Sequence, residues 1–201
     1  MTPALPKHLL PFCGAFLVLL DRWNRTHALT SLPPALRREE LLLDSAVLLP
    51  WLERLEPGAR VVDFGTGMGI PALLLAAARP DLRILAVDRS RKKRAFVRQV
   101  AMELGLSNLK ALAEDAGDLP PLDASLGTAK AVGSLSLLLG WWDRHGRQGA
   151  PFLAMKGPGS AGDDPPPGWS LARHPYQLPT RGERVLLEAR RNGGEGGTGL
   201  A

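Results

Sequence analysis

From Arg60 onward the chain alternates two kinds of apolar pattern. Short runs of nearly unbroken apolar residues read as strands buried on both faces. Longer stretches, with apolar positions every three or four residues, read as helices. Strands are predicted near residues 60–64, 82–87, 108–113, 127–132, 149–155, 168–173 and 183–190, and helices near 70–79, 91–105 and 134–144. This alternation predicts a parallel sheet with helices on both faces. The last two strands lie too close in sequence for a helical crossover, with residues 175–182 as the connection, so they are expected to pair as an antiparallel hairpin. Before residue 59 the pattern is helical. Phe16, Leu17, Leu20 and Trp23 share one face, and Pro33-Pro34 breaks the run. Residues 37–55 resume it with a stripe of Leu41, Leu42, Ala46, Leu49 and Leu52, which Pro50 kinks or divides. The expected organisation is a helical extension over 1–58, an α/β domain over 59–191 and a glycine-rich tail over 192–201, expected to be disordered. Residues 157–168 form a Pro/Gly/Asp loop.

With 201 residues, 45% of them hydrophobic and 22% charged, the chain has the balance of one globular domain with a real core plus a short extension. No apolar segment is long enough to span a bilayer. Residues 9–20 resemble the core of a signal peptide, but Pro11 and Gly14 interrupt them and no small-residue cleavage site follows. They are expected to be a helix of the fold in a cytoplasmic protein. The single cysteine, Cys13, excludes a disulfide framework. His8, His27, His145 and His174 lack ligand spacing, so no metal site is expected. The net charge of +5 favours a polyanionic partner without requiring one.

The candidate chemistry sits where the first predicted strand ends, at Val61-Val62-Asp63-Phe64-Gly65-Thr66-Gly67-Met68-Gly69-Ile70-Pro71. An apolar run closes on an acid, glycines alternate, and a helix begins. Alternating glycines let a ligand approach backbone. The second strand ends in Asp88, whose carboxylate suits the two hydroxyls of a ribose. The dinucleotide fingerprint is G-x-G-x-x-G, whereas here the spacing is G-x-G-x-G with Asp63 two residues upstream. That acid repels a diphosphate and favours a cationic ligand. S-adenosylmethionine (SAM), with its sulfonium and ammonium, is therefore favoured over NAD. A glycine turn that binds nothing is the plainer alternative, which Asp88 at the neighbouring strand end argues against. A parallel sheet closed by a hairpin also fits the class I SAM-dependent methyltransferase fold, a Rossmann-like seven-stranded sheet.

Several motifs then occur in a specific order: Trp23-Asn24 with Leu29-Thr30, Asp44-Ser45, VVDFGTGMGIPALLLAAARPDL from residue 61, DRSRKKRAFVRQVAMELGL from residue 88, and Met155-Lys156-Gly157. Over residues 16–190 the chain resembles the RsmG (GidB) family of bacterial small-subunit ribosomal RNA methyltransferases, which methylate N7 of one guanine with SAM. The resemblance implies that Gly65, Gly67, Gly69 and Ile70 line the methionine and ribose side of the cofactor and that Asp88 binds the ribose. The alanine–glutamate pair that flanks adenine in the family falls on Ala116-Gly117, with Glu114 or Asp115 as the nearby acids. The family's arginine after the fourth strand falls on Lys130, which keeps the charge without the planar fork. Glu40-Leu41-Leu42-Leu43 stands where the family carries a basic residue followed by histidine. The implied partner is small-subunit ribosomal RNA or the assembled subunit, and a monomer is expected.

The residues missing from the chain bear on the target atom. Methylation of an exocyclic amine uses an Asn/Asp-Pro-Pro-aromatic motif after the fourth strand. Asp164-Pro165-Pro166-Pro167 follows the fifth strand and lacks the aromatic, so it reads as a loop. Methylation of a pyrimidine carbon needs a cysteine nucleophile, and Cys13 lies far from the crevice in sequence. Guanine N7 carries a lone pair and no proton, so alignment suffices and no general base is expected. Lys130 is the candidate for holding the base at O6, and Lys156 is a second. Arg91, Lys92, Lys93 and Arg94, with Arg89 and Arg98, form a basic cluster that suits RNA phosphates or is simply a solvated helix face. Trp141-Trp142 reads as helix packing before base stacking. The remaining alternatives are a SAM-binding paralog with another RNA or a small-molecule target, and a non-catalytic SAM- or RNA-binding protein.

Overall fold

The computed structural model describes residues 2–157 and 164–192. Seven strands form one sheet in the order β3-β2-β1-β4-β5-β7-β6. They are β1 (Arg60–Phe64), β2 (Arg83–Val87), β3 (Leu109–Leu112), β4 (Leu126–Lys130), β5 (Phe152–Lys156), β6 (Trp169–Leu178) and β7 (Gly182–Arg191). β1 to β5 run parallel, and β7 lies antiparallel between β5 and β6. The hairpin expected at the end of the chain is present and longer than its sequence suggested. β6 continues through Pro175 to Leu178, so residues 179–181 alone make the turn. An edge strand tolerates Pro175 because its missing N–H takes no ladder partner away from the sheet interior. β4 stops at Lys130, two residues earlier than expected, because Ala131 turns into the left-handed region (φ 54°).

Among the described residues six α-helices accompany the sheet: α1 (Leu10–His27), α2 (Pro34–Arg37), α3 (Leu49–Leu52), α4 (Ala72–Ala78), α5 (Arg91–Glu103) and α6 (Leu135–His145). The stretch predicted as one helix over 37–55 changes its winding several times. α2 passes into a π-helical stretch at Arg38–Leu43, then a 3-10 turn at Ala46–Leu48, then α3. α1 ends at Ala28 in the left-handed conformation. Beyond that end, Asn24 and Thr30 bond reciprocally: Asn24 Nδ2 donates to the Thr30 carbonyl at 3.0 Å, and the Thr30 amide donates to Asn24 Oδ1 at 2.8 Å. The Trp23-Asn24…Leu29-Thr30 spacing is thus a loop clasp.

The N-terminal helices are not a separate body. Phe16, Leu20, Leu42, Leu48 and Leu52 are buried in one core with Val61, Ile84, Leu73, Leu74 and Phe96. Each such side chain contributes about 1.5–3 kcal/mol of burial. The opposite face of the sheet is covered by α6, where Trp142 packs on Phe152 and donates its indole N–H to the Ala150 carbonyl at 3.2 Å. Cys13 is buried within α1, and burial pushes its thiol pKa up. The tail expected to be disordered falls, from residue 193 on, outside the described residues, as do residues 158–163 of the proline-rich loop. No helix among the described residues is long and apolar enough to cross a membrane.

Candidate functional site

β1 and β4 are neighbours in the sheet, and the chain turns to opposite sides of it after them. A crevice opens at the carboxyl ends of the strands there, the usual ligand position in such sheets. The cavity measures about 680 Å³ and is walled by residues that follow β1, β2, β3 and β4 and by α6. Of the residues expected at the cofactor site, Gly65, Gly67, Asp88, Ala116 and Lys130 line it. Asp63, Gly69, Ile70 and Gly117 do not.

The glycine turn serves packing as much as ligand access. A β-carbon on Gly65 would lie 2.4 Å from a Val132 methyl, so this glycine lets the loop after β4 close against the loop after β1. Gly67, at φ 58°, has only the Gly65 carbonyl at 3.9 Å near such a carbon, and it is here that the turn leaves its backbone open. Behind the turn, Gly69 packs against Leu73 and Val97, and Ile70 is buried. Asp88 holds the turn from across the crevice. Its Oδ2 accepts the Gly67 amide at 3.0 Å and its Oδ1 accepts the Ser90 amide at 2.9 Å. Each carboxylate oxygen keeps a further lone pair for a hydroxyl.

Asp63 is completely buried beneath the turn. Thr128 on β4 donates to its Oδ1 at 2.9 Å. Burial pushes the carboxyl up to about 6, opposed by the Thr66 and Thr128 hydroxyls, the Ala72 amide and the charge of Lys130. It lies under the crevice floor and is not among the residues that line the crevice.

The wall beyond β3 holds Glu114, Asp115 and Ala116, faced by Leu137 and Trp141 of α6. Asp115 Oδ1 accepts the Gly117 amide at 2.9 Å, and this leaves Gly117 behind the wall. His145 fixes this loop from inside: its Nε2 pairs with the Ala116 carbonyl at 2.8 Å while the ring is fully buried. Burial lowers its pKa and keeps it neutral. The two adjacent tryptophans divide the labour, because successive helix positions point about 100° apart. Trp142 enters the core and Trp141 stays half-buried on the crevice. Trp141, Leu137 and Val132 were not identified from sequence as wall residues; a search for half-buried positions on α6 would have found Trp141, whereas Leu137 is exposed.

Lys130 closes the crevice on the side of the N-terminal helices. Its ammonium lies 2.8 Å from Asp44 Oδ2 and donates to the Glu40 carbonyl. Asp44 also accepts the Tyr176 hydroxyl at 2.7 Å. Lys156 Nζ donates to the Gly133 carbonyl at 3.2 Å.

The basic cluster is not uniform. Ser90 caps α5 by accepting the Lys93 amide, and the first turn of α5 carries Arg91, Lys92 and Lys93. Lys92 donates to the His27 carbonyl at 2.6 Å, at the C-terminal end of α1. Lys93 lies 3.6 Å from Asp88 and, with Arg89, lines the crevice. Arg94 is half-buried, whereas Arg91 and Arg98 are exposed. Among the described residues no three His, Cys, Asp or Glu side chains cluster as metal ligands.

Known proteins match this arrangement in sequence and in fold. Residues 13–163 match the family model described as GidB: rRNA small subunit methyltransferase G. A protein of Bordetella avium named ribosomal RNA small subunit methyltransferase G is 34% identical over 89% of this chain and 84% of its own length. A Sorangium cellulosum protein of the same name is 40% identical over 80% and 69%. Among solved structures, a SAM-dependent methyltransferase from Aquifex aeolicus superposes with a TM-score of 0.58 at 18% identity, covering 76% of this chain and 92% of its own. TrmN from Thermus thermophilus gives 0.57 at 21% identity, covering 86% and 53%. The sheet order and fold are therefore those of a SAM-dependent methyltransferase, and the chain belongs to the GidB family, rRNA small subunit methyltransferase G.

Proposed function

We propose that the protein transfers the methyl group of SAM to N7 of a guanine in small-subunit ribosomal RNA, in the bacterial cytoplasm. The single observation that carries the donor half of this reading is the Asp88 carboxylate. It braces the Gly67 amide while facing the crevice, with buried Asp63 beneath the same turn. Asp88 holds the ribose hydroxyls, Gly65 and Gly67 admit the methionine portion, and Ala116 with Leu137 and Trp141 encloses the adenine. Glu114 or Asp115 supplies the acid beside that ring. Asp63 offsets the donor's positive charge from below, and its negative field helps hold sulfonium and ammonium in the crevice.

No proton leaves guanine N7 during transfer, so the protein's task is to align nitrogen, methyl and sulfur and to exclude water. Lys130 holds the base through O6, and the exposed cations Arg91 and Arg98 with Lys156 meet RNA phosphates. Lys92, Lys93 and Arg94 contribute mainly as part of the positive field, since each is partly engaged within the protein or half-buried.

Mass-spectrometric mapping of ribosomal RNA from cells lacking the gene tests the reading. Loss of one 7-methylguanosine, restored by purified protein and SAM, is the expected result. Supplying naked RNA and assembled subunits in parallel identifies the substrate form. An unchanged modification map would overturn the reading.

A further inference from the structure

The segment Lys130-Ala131-Val132-Gly133 borders two cavities. One is the donor crevice, and the other is a separate space of about 430 Å³, roomy enough for a nucleobase. The second cavity gathers residues remote in sequence: Glu40 and Asp44 from the N-terminal helical run, Lys156 at the end of β5, and Tyr176 and Arg184 from the hairpin. A base seated there and a donor seated in the crevice would meet along residues 130–133.

Its polar groups are arranged around the Lys130 ammonium. The π-helical stretch shifts one backbone bond: the Asp44 amide bonds the Glu39 carbonyl rather than that of Glu40, as an α-helix would require. Lys130 takes the Glu40 carbonyl and also pairs with Asp44 Oδ2 at 2.8 Å. Tyr176, 3% exposed, donates to the other oxygen of the same carboxylate at 2.7 Å. An ammonium has three N–H groups. Two are committed among the described residues, which leaves one for a ligand. Lys156 and Arg184 add further positive charge to the same cavity, that of Arg184 facing Glu40. A cationic donor set suits an acceptor-rich edge, and the N7/O6 edge of guanine is such an edge, whereas adenine presents an amine beside its N7.

We propose that this second cavity receives the guanine base of the acceptor, and that Tyr176 and Asp44 are positioning residues which fix the Lys130 ammonium to donate to O6. A hydrogen bond to O6 places N7, on the same edge, beside the donor crevice. The inference rests on the methyltransferase reading above and adds the seat of the acceptor and the residues that build it.

The test uses the full chain as wild type, Tyr176→Phe and Asp44→Asn. SAM affinity is read by calorimetry, the folded state by thermal midpoint, and methyl transfer by steady-state and single-turnover kinetics on small-subunit RNA or subunits that lack the modification. Phenylalanine keeps the packing and removes the hydroxyl, so Tyr176→Phe is expected to lower kcat about tenfold, with SAM affinity and RNA KM within about twofold of wild type. Asp44→Asn, which removes the charged partner, is expected to lower kcat further with SAM affinity again preserved. A Tyr176→Phe protein that transfers at the wild-type rate overturns the inference. So does a loss matched by weaker SAM binding or by a collapsed thermal midpoint in both variants. A wild type that binds SAM but methylates no small-subunit RNA overturns the functional reading, and this inference with it.

Discussion

The donor crevice draws its walls from the ends of four strands that lie side by side in the sheet, each contributing the few residues that follow it. The second cavity joins segments of the chain that only the complete fold brings together; the Tyr176–Asp44 bond alone spans 132 residues of sequence. The crevice relies on backbone amides, a braced carboxylate and a buried acid. The cavity relies on a lysine fixed by a carboxylate and a backbone carbonyl from a distant segment. Backbone-built recognition is set by local spacing, so it can persist while the residues that meet an acceptor change. In the Glu40-Leu41-Leu42-Leu43 segment, where the resemblance expects a basic residue followed by histidine, Glu40 instead pairs with Arg181 and Arg184 of the hairpin.

Removing the brace of the crevice should give the largest effect. Asp88→Ala is expected to weaken SAM binding on the order of a hundredfold or more, because two charge-assisted bonds to ribose and the hold on Gly67 are lost together. Calorimetry checks this. RNA binding by the same variant should stay near wild type, and a parallel loss would show that the two regions are not separable.

Next comes the turn itself. Gly65→Ala drives a β-carbon into Val132 at positive φ and is expected to cost about 2–4 kcal/mol of stability in urea unfolding. Gly67→Ala has open space around it and should cost about 1 kcal/mol while still impairing SAM binding. Equal losses of stability would refute the division between packing and ligand access.

On the acceptor side, Arg91→Glu with Arg98→Glu should weaken RNA binding and reduce the slope of log affinity against log salt by about 1.5 to 2. SAM affinity should not move. An unchanged salt slope would assign that face of α5 to solvent alone.

A pH dependence of donor affinity of about threefold to fourfold is the smallest change expected at the crevice, and it accompanies a pH-dependent stability. With its pKa raised to about 6, Asp63 binds a proton in the folded chain at pH values where the unfolded chain has released it. Folded stability therefore declines as pH rises from the ordinary carboxylate value of 3.8 through about 6, and the full cost is present above that window. Asp63→Asn should be the more stable protein at pH 7.5, by on the order of 2 kcal/mol, and lose that advantage toward pH 4. Donor affinity should run the other way. In the wild type it should fall about threefold to fourfold between pH 7.5 and 5.5 as Asp63 takes up its proton. In Asp63→Asn it should stay flat across that window, and a matching decline there would exclude Asp63 as the cause.

Much of this was legible before folding. The strand ends at Asp63 and Asp88, the glycine spacing and the order of elements are local signals, each set by burial or steric permission within about twenty residues. The division of the two tryptophans was not, because both sit in the same apolar run and only the angle of α6 against the sheet decides which of them enters the core. Nor did the residues around Asp44-Ser45 announce their role. Their apolar stripe predicted a helix, whereas the structure interrupts regular winding there and turns Glu39, Glu40 and Asp44 toward the hairpin and β4. Glu39 accepts the Thr180 amide and hydroxyl at 2.7 Å, a contact without any local sequence signature.

The amino-acid order alone determined the alternating sheet and helices, the glycine turn and the acid that faces it, because hydrophobic period and left-handed backbone tolerance act over a few neighbouring positions. Tertiary structure alone decided that Asp63 is sealed beneath the floor rather than lining it, that Gly65 is required by Val132, and that Lys130 is held between Glu40 and Asp44. Those outcomes depend on distances between segments far apart in the chain, and such distances exist only once the common core has closed.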